Sequence, residues 1–172
     1  KPPGSLGLLE HLAAQLAGIQ GTTQPQIKKP RVIVFGGDHG ITAESVSPYP
    51  SSVTALMIKT MCSGESAVTV LARSVSAEVD IVNAGCSAAL PDWPTAHGIH
   101  FWNTPVKKGS DNFLLEPAMT SKECEQAILL GKSAIARCHT EGVDLLAIGE
   151  MGIGNTTSAS ALYCCLLGLT PE

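Results

Sequence analysis

The stretch that decides the fold is Val143-Asp144-Leu145-Leu146-Ala147-Ile148-Gly149-Glu150-Met151-Gly152-Ile153-Gly154-Asn155-Thr156-Thr157. Its first six residues are a short, mostly apolar run of the kind that forms a parallel strand buried on both faces. A glycine-punctuated loop follows, and a helical pattern then runs from about Thr156 to Leu167. Strand, glycine loop and helix in that order make half of a βαβ unit and predict a parallel sheet.

Working outward, the same grammar recurs. Arg31-Val32-Ile33-Val34-Phe35 is a β-branched run ending in Gly36-Gly37, and Val79-Asp80-Ile81-Val82-Asn83-Ala84 is a second strand ending at Gly85. Ile99-His100-Phe101-Trp102 is a possible third. Between the first two, residues 53–74 carry helical periodicity interrupted at Ser63-Gly64, which fits two helices or one kinked helix. Thr120 followed by Glu123 is a capping-box pattern. It opens a helix with Cys124, Ala127, Ile128, Gly131, Ala134, Ile135 and Cys138 along one face. Nearer the start, Leu8, Leu9, Leu12, Ala13 and Leu16 predict an amphipathic helix from Leu6, closed by Gly18 and Gly21. The polar, proline-bearing segment up to Pro30 reads as a linker. The expected architecture is α/β, a Rossmann-like, open, mostly parallel sheet flanked by helices. Residues 1–30 are expected to form an N-terminal helix and linker, part of a smaller helical subdomain, and residues 31–172 an α/β domain cut short at its C-terminal end. Lys1 is not an initiator methionine, and the chain stops directly after a helix where an open sheet would continue, so a longer parent is expected.

Composition bounds the function. The 172 residues are 44% hydrophobic and 15% charged, enough for one buried core, and aromatic residues make up only 4%. A net charge of -4 with no basic run beyond Lys28-Lys29 and Lys107-Lys108 gives no footprint for nucleic acid. Apolar runs fall short of the roughly 20 residues that span a bilayer. Six irregularly spaced cysteines without a CxxC pair are expected to be reduced and buried, which suits the cytoplasm.

Glycines in Gly149 to Thr157 allow a ligand to approach the backbone, and the following helix start presents unpaired N–H groups to an anion. Glu150, Met151, Gly152, Ile153, Gly154, Asn155, Thr156 and Thr157 are therefore candidates for holding a phosphate. The spacing is neither GxGxxG nor Walker A. An equally simple reading is a tight turn with Asn155 or Thr156 as N-cap. A carboxylate such as Glu150 would repel phosphate, so it either turns to a ribose hydroxyl or a cationic ring, or else caps backbone donors or faces solvent. Asp38 and His39, in the Gly36-Gly37-Asp38-His39-Gly40 turn at a strand's carboxyl end, read as a pocket wall or as structural turn residues. His97 and His100 with Asp92 lack a third obvious ligand for metal, and no nucleophile has a paired base.

Six segments in order carry a family resemblance. They are Lys1-Pro2-Pro3-Gly4-Ser5-Leu6-Gly7, Gly37-Asp38-His39-Gly40, Val46-Ser47-Pro48-Tyr49-Pro50 with Val53-Thr54, Val70-Leu71-Ala72-Arg73, Glu116-Pro117-Ala118-Met119-Thr120, and Gly149 through Thr157. Together they resemble the nicotinate mononucleotide:dimethylbenzimidazole phosphoribosyltransferases of cobalamin assembly. The resemblance implies transfer of phosphoribose to dimethylbenzimidazole without metal or other cofactor, in a homodimer. It implies that Glu150 to Thr157 form the nucleotide phosphate loop. Asp38, His39, Ser47, Pro48, Tyr49 and Leu56 would then wall the base pocket. Many members of the family have Gln at the position of Leu56 and an acidic residue at that of Asn83. The family's general-base glutamate lies in a C-terminal half that these 172 residues do not include, so the chain alone is expected to turn over negligibly. A non-catalytic nucleotide-binding or regulatory homologue is the rival reading.

Overall fold

The computed structural model describes residues 2–170; Lys1, the first residue of the N-terminal motif, lies outside them, as do Pro171 and Glu172. Four strands form one parallel sheet in the order β3-β2-β1-β4: β1 (Pro30–Gly37), β2 (Glu78–Gly85), β3 (Ile99–Asn103) and β4 (Leu145–Met151). This order matches the first four strands of the doubly wound 3-2-1-4-5-6 sheet, so the fold is the expected Rossmann-like α/β arrangement. Pro30 opens β1, where its missing N–H costs no ladder bond. The β-branched residues behind it occupy the centre of the sheet, with Val32 in register with both Val79 and Ala147.

Helices cover the sheet according to the two-residue alternation of its strands. On one face Val34, Val79, Ile81 and Ile99 pack with Ile58, Met61 and Cys62 of α2 (Ser52–Cys62) and Ala72 of α3 (Ala67–Ser74). On the other, Ile33 and Val82 meet Ala134 and Cys138 of α4 (Ser121–Thr140). The helical stretch before β2 is thus two helices. Gly64 breaks it in a left-handed conformation, and Ser66 caps α3 by accepting the Thr69 N–H.

Several sequence expectations need correction. The N-terminal helix α1 spans Leu8–Gln20, so Leu6 lies before it, Gly18 inside it, and Gly21 alone closes it, at φ 64°. Strand β4 begins at Leu145, because Val143 N–H bonds the Cys138 carbonyl and the Asp144 carboxylate accepts the N–H groups of Lys28 and Lys29. Nor is β4 buried on both faces: it is a sheet edge, and Ile148 is 74% exposed. The capping box is formed as expected, with Thr120 accepting the Glu123 N–H and the Glu123 carboxylate accepting the Thr120 N–H. The buried stripe of α4, however, is Ala134 and Cys138 with partly buried Leu130 beside them. Cys124, Ala127, Ile128 and Ile135 face outward, and Cys124 and Ile128 line an open groove with Met119, Leu129 and Lys132. Only Cys62, Cys86 and Cys138 are buried, while Cys124 and Cys165 are exposed; all six are free thiols.

Candidate nucleotide site

After β1 the chain moves to β2 and β3 on one flank, and β4 returns to the other. The crevice between the carboxyl ends of β1 and β4 is therefore the topological switch point, where open α/β sheets take their ligands. Two segments meet there: the Gly37-Asp38-His39-Gly40 turn and the loop from β4 into α5 (Asn155–Leu167).

The glycine loop is shorter than its sequence suggests. Gly149, Glu150 and Met151 belong to β4, in register with Val34, Phe35 and Gly36, so the loop proper is Gly152-Ile153-Gly154. Gly152 must be glycine, since a Cβ there would run into the Gly37 carbonyl oxygen and stand 2.9 Å from His39 Cδ2 and Nε2. Gly154 adopts a left-handed conformation at φ 86° and caps α5 without any side-chain hydrogen bond. The reading of Asn155 or Thr156 as N-cap is thereby corrected. Asn155 is the first residue of the helix, and its amide turns back to donate to the Glu150 carboxylate. Without a capping side chain, the first-turn N–H groups of α5 keep their partial positive charge open toward the crevice.

Three contacts hold the loop in place. Ile153 N–H donates to Oγ1 of Thr54, a fully buried α2 residue, at 3.1 Å. Asn155 N–H bonds the Gly152 carbonyl at 3.1 Å. His39 Nδ1 lies 2.9 Å from Ser158 Oγ in the first turn of α5. Burial holds the His39 imidazole below its usual 6.5, against the opposing pull of the Glu150 and Asp38 carboxylates, so the ring is neutral at pH 7.

Asp38 and His39, adjacent in sequence, serve opposite sides. The buried Asp38 carboxylate faces the loop after β2, accepting the Ser87 N–H at 2.8 Å, and its second oxygen has no hydrogen-bond partner among the described residues. His39 faces the loop after β4. Of the other proposed pocket-wall residues, Pro48, Tyr49 and Leu56 are exposed, and Ser47 Oγ accepts the Tyr49 N–H. No hydrogen bond joins these four to the glycine loop among the described residues. At the end of β2, Asn83 is buried and internally satisfied, donating to Asn103 Oδ1 and accepting the Cys86 N–H. An acid there could not make that donation. Thr54 and Ser158 were not singled out from sequence. Thr54 sits in the Val53-Thr54 pair and Ser158 directly after the motif, but no local pattern announces contacts across 99 and 119 residues. Among the described residues, no group of three or more His, Cys, Asp or Glu is placed to hold a metal ion.

A family model described as phosphoribosyltransferase matches residues 1–172, the whole chain. The chain belongs to that family. Relatives named nicotinate-nucleotide–dimethylbenzimidazole phosphoribosyltransferase include those of Chromobacterium violaceum and Pseudomonas fluorescens. The first is 42% identical over 172 residues, covering 100% of this chain and 48% of the relative. The second is 44% identical over 169 residues, covering 98% and 47%. The crystal structure of CobT from Thermus thermophilus superposes with a TM-score of 0.90 at 42% identity, covering 100% of this chain and 50% of that one. The chain thus spans about half the length of the curated relatives it matches. No helix among its described residues is long and apolar enough to cross a membrane.

Proposed function

We propose that this chain is the nucleotide-holding half of an enzyme that moves phosphoribose from nicotinate mononucleotide to dimethylbenzimidazole, giving α-ribazole phosphate and nicotinate for cobalamin biosynthesis. The observation that carries the reading is the uncapped start of α5, set behind Gly152-Ile153-Gly154 at the switch point of the sheet. In this reading the N–H groups of Thr156 and Thr157 bind the phosphomonoester, and their hydroxyls add donors. Glu150, whose carboxylate accepts a hydrogen bond from Asn155, is assigned in this reading to a ribose hydroxyl or the cationic pyridinium ring. The N-glycosidic bond breaks with its electron pair passing to the nicotinate nitrogen, which neutralises the pyridinium. An imidazole nitrogen of the incoming base bonds the anomeric carbon from the opposite face, and the proton on the other nitrogen is lost to a general base. We assign that last role to a residue outside these 172. We further infer a cytoplasmic homodimer, a base-pocket wall of Asp38, Ser47, Pro48, Tyr49 and Leu56 with the backbone of His39, and a helical subdomain that includes α1.

Isothermal titration of the full natural gene product with nicotinate mononucleotide tests the loop. Gly152→Val is expected to remove measurable binding while the fold, followed by circular dichroism, persists; unchanged affinity would overturn the assignment. A second measurement follows α-ribazole phosphate formation by the 172-residue chain alone, and turnover at the rate of the full-length protein would overturn the division of labour.

A further inference from the structure

His39 lies in the turn assigned to the base pocket, and its side chain reaches the glycine loop and the start of α5. Its Nδ1 is 2.9 Å from Ser158 Oγ, and its Cδ2–Nε2 edge lies so near Gly152 that a single added methyl group would stand 2.9 Å from both atoms. Its Cβ would likewise be 3.6 Å from a side chain at Gly154. The His39 side chain thus lies against both glycines of the loop, with its ring edge at Gly152 and its Cβ at Gly154, and its Nδ1 meets the first turn of the helix behind them. Its backbone is fixed as well: the His39 carbonyl accepts both the N–H and the hydroxyl of Thr42, whose methyl group underlies Gly154.

We infer that His39 and Ser158 form a positioning pair for the nucleotide: the His39 side chain pins Gly152, Gly154 and the start of α5 to the end of β1, so that the first-turn N–H groups are aimed before the phosphate arrives. This deepens the proposed function and rests on its reading of the glycine loop as the phosphate site. Hydrogen-bond donors aligned in advance cost no reorganisation when ligand binds, which is how a residue that need not touch the phosphate acts on its affinity. Burial keeps the ring neutral, as suits a group that shares one hydrogen bond with a hydroxyl. Ser158 lies outside the Gly149 to Thr157 motif and gains its role only through this contact.

The test uses the full natural gene product, steady-state kinetics in both substrates, and titration with nicotinate mononucleotide. His39→Ala and Ser158→Ala are each expected to raise KM and Kd for the nucleotide by about fivefold to tenfold, the scale of one lost hydrogen bond. KM for the base should not move. Combined, the two changes should cost no more than the larger one alone, because they break one contact. His39→Asn, whose amide reaches the position of Nδ1, should restore most of the affinity, and His39→Gln, which reaches instead toward the position of Nε2, should not. A rise in KM for the base alone would return His39 to the base pocket and overturn the inference. So would additive losses in the double variant, or equal rescue by Gln. Should His39→Ala fail to fold, Ser158→Ala and His39→Asn carry the same comparison. Gly152→Val separates the two levels: if it leaves nucleotide affinity intact, the loop reading fails, whereas if it abolishes binding and the His39 and Ser158 variants bind normally, only the positioning role fails.

Discussion

Arg31 and Asp80 are buried neighbours on adjacent central strands, with 3% and 0% of their side chains exposed and Nη1 3.5 Å from Oδ2. The same Asp80 oxygen accepts a 2.8 Å hydrogen bond from Arg137 of α4, whose guanidinium stacks on Trp102 at 3.6 Å. Glu78 and Glu141 complete the ring of charge around Arg31. All these groups sit toward the start of β1 and β2, at the end of the sheet opposite the glycine loop. Removing one member of such a set leaves buried charge uncompensated. Asp80→Ala is expected to destabilise the chain by about 3 kcal/mol or more, read as a lower midpoint in urea. A midpoint within error of the unaltered chain would show that the network contributes nothing.

Acid should unfold the chain in a defined window. Glu141 is held below its usual 4.5 by its hydrogen bond to Arg31, Glu123 by the Thr120 N–H, and Asp144 below 3.8 by the N–H groups of Lys28 and Lys29. In each case the unfolded chain takes up its proton at a higher pH than the folded one. The stabilisation is therefore complete above the usual values and lost as pH falls through the lowered ones. His39, depressed by burial, adds the same sign below 6.5. Glu141→Gln should lower stability at neutral pH, and the difference from the unaltered chain should vanish in acid and shrink with salt, since Glu141 is 35% exposed. A pH-independent difference in thermal midpoint would rule out this linkage.

The start of α4 offers a local test. Thr120 and Glu123 exchange both capping bonds at the helix N-terminus, where first-turn N–H groups otherwise go unpaired. Thr120→Ala is expected to cost about 1 kcal/mol and Thr120→Ser much less. Thermal melting of the pair distinguishes loss of the cap from loss of the methyl group, and equal destabilisation by both would assign the effect to packing.

What the sequence made legible follows from range. The capping box spans three residues and the run from Val32 to Phe35 carries its own β-branched signal, so both could be read locally. The strand order, and with it the site at the β1/β4 switch point, comes from long-range pairing that no local pattern records. Contacts of Thr54 with Ile153 and of His39 with Ser158 join residues about a hundred or more apart through the fold, and no periodicity records them. The outward face of α4 was misread for another reason. Ile128 and Ile135 are as apolar as Ala134 and Cys138, and periodicity identifies an apolar stripe without telling which part of it is covered.

That uncovered surface gives the last prediction. Strand β4 is an open sheet edge with Leu145 and Ile148 exposed, and α5 beyond it has no buried residue, with Leu166 79% exposed and Leu162, Tyr163 and Leu167 also bare. An edge of unpaired backbone groups beside contiguous apolar side chains is a template for association. The 172-residue chain on its own should therefore bind a hydrophobic dye and show concentration-dependent light scattering. Ile148→Lys places a charge on the exposed edge without disturbing the cores under α2 and α4, so it should reduce the scattering and leave the urea midpoint nearly unchanged. In a product of the relatives' full length, with a second half to cover this surface, dye binding should fall. A dye-silent, monodisperse 172-residue chain would mean that the apolar edge is not a surface that needs covering, and undiminished scattering by Ile148→Lys would move the association to another face, such as the groove at Ile128 and Leu129.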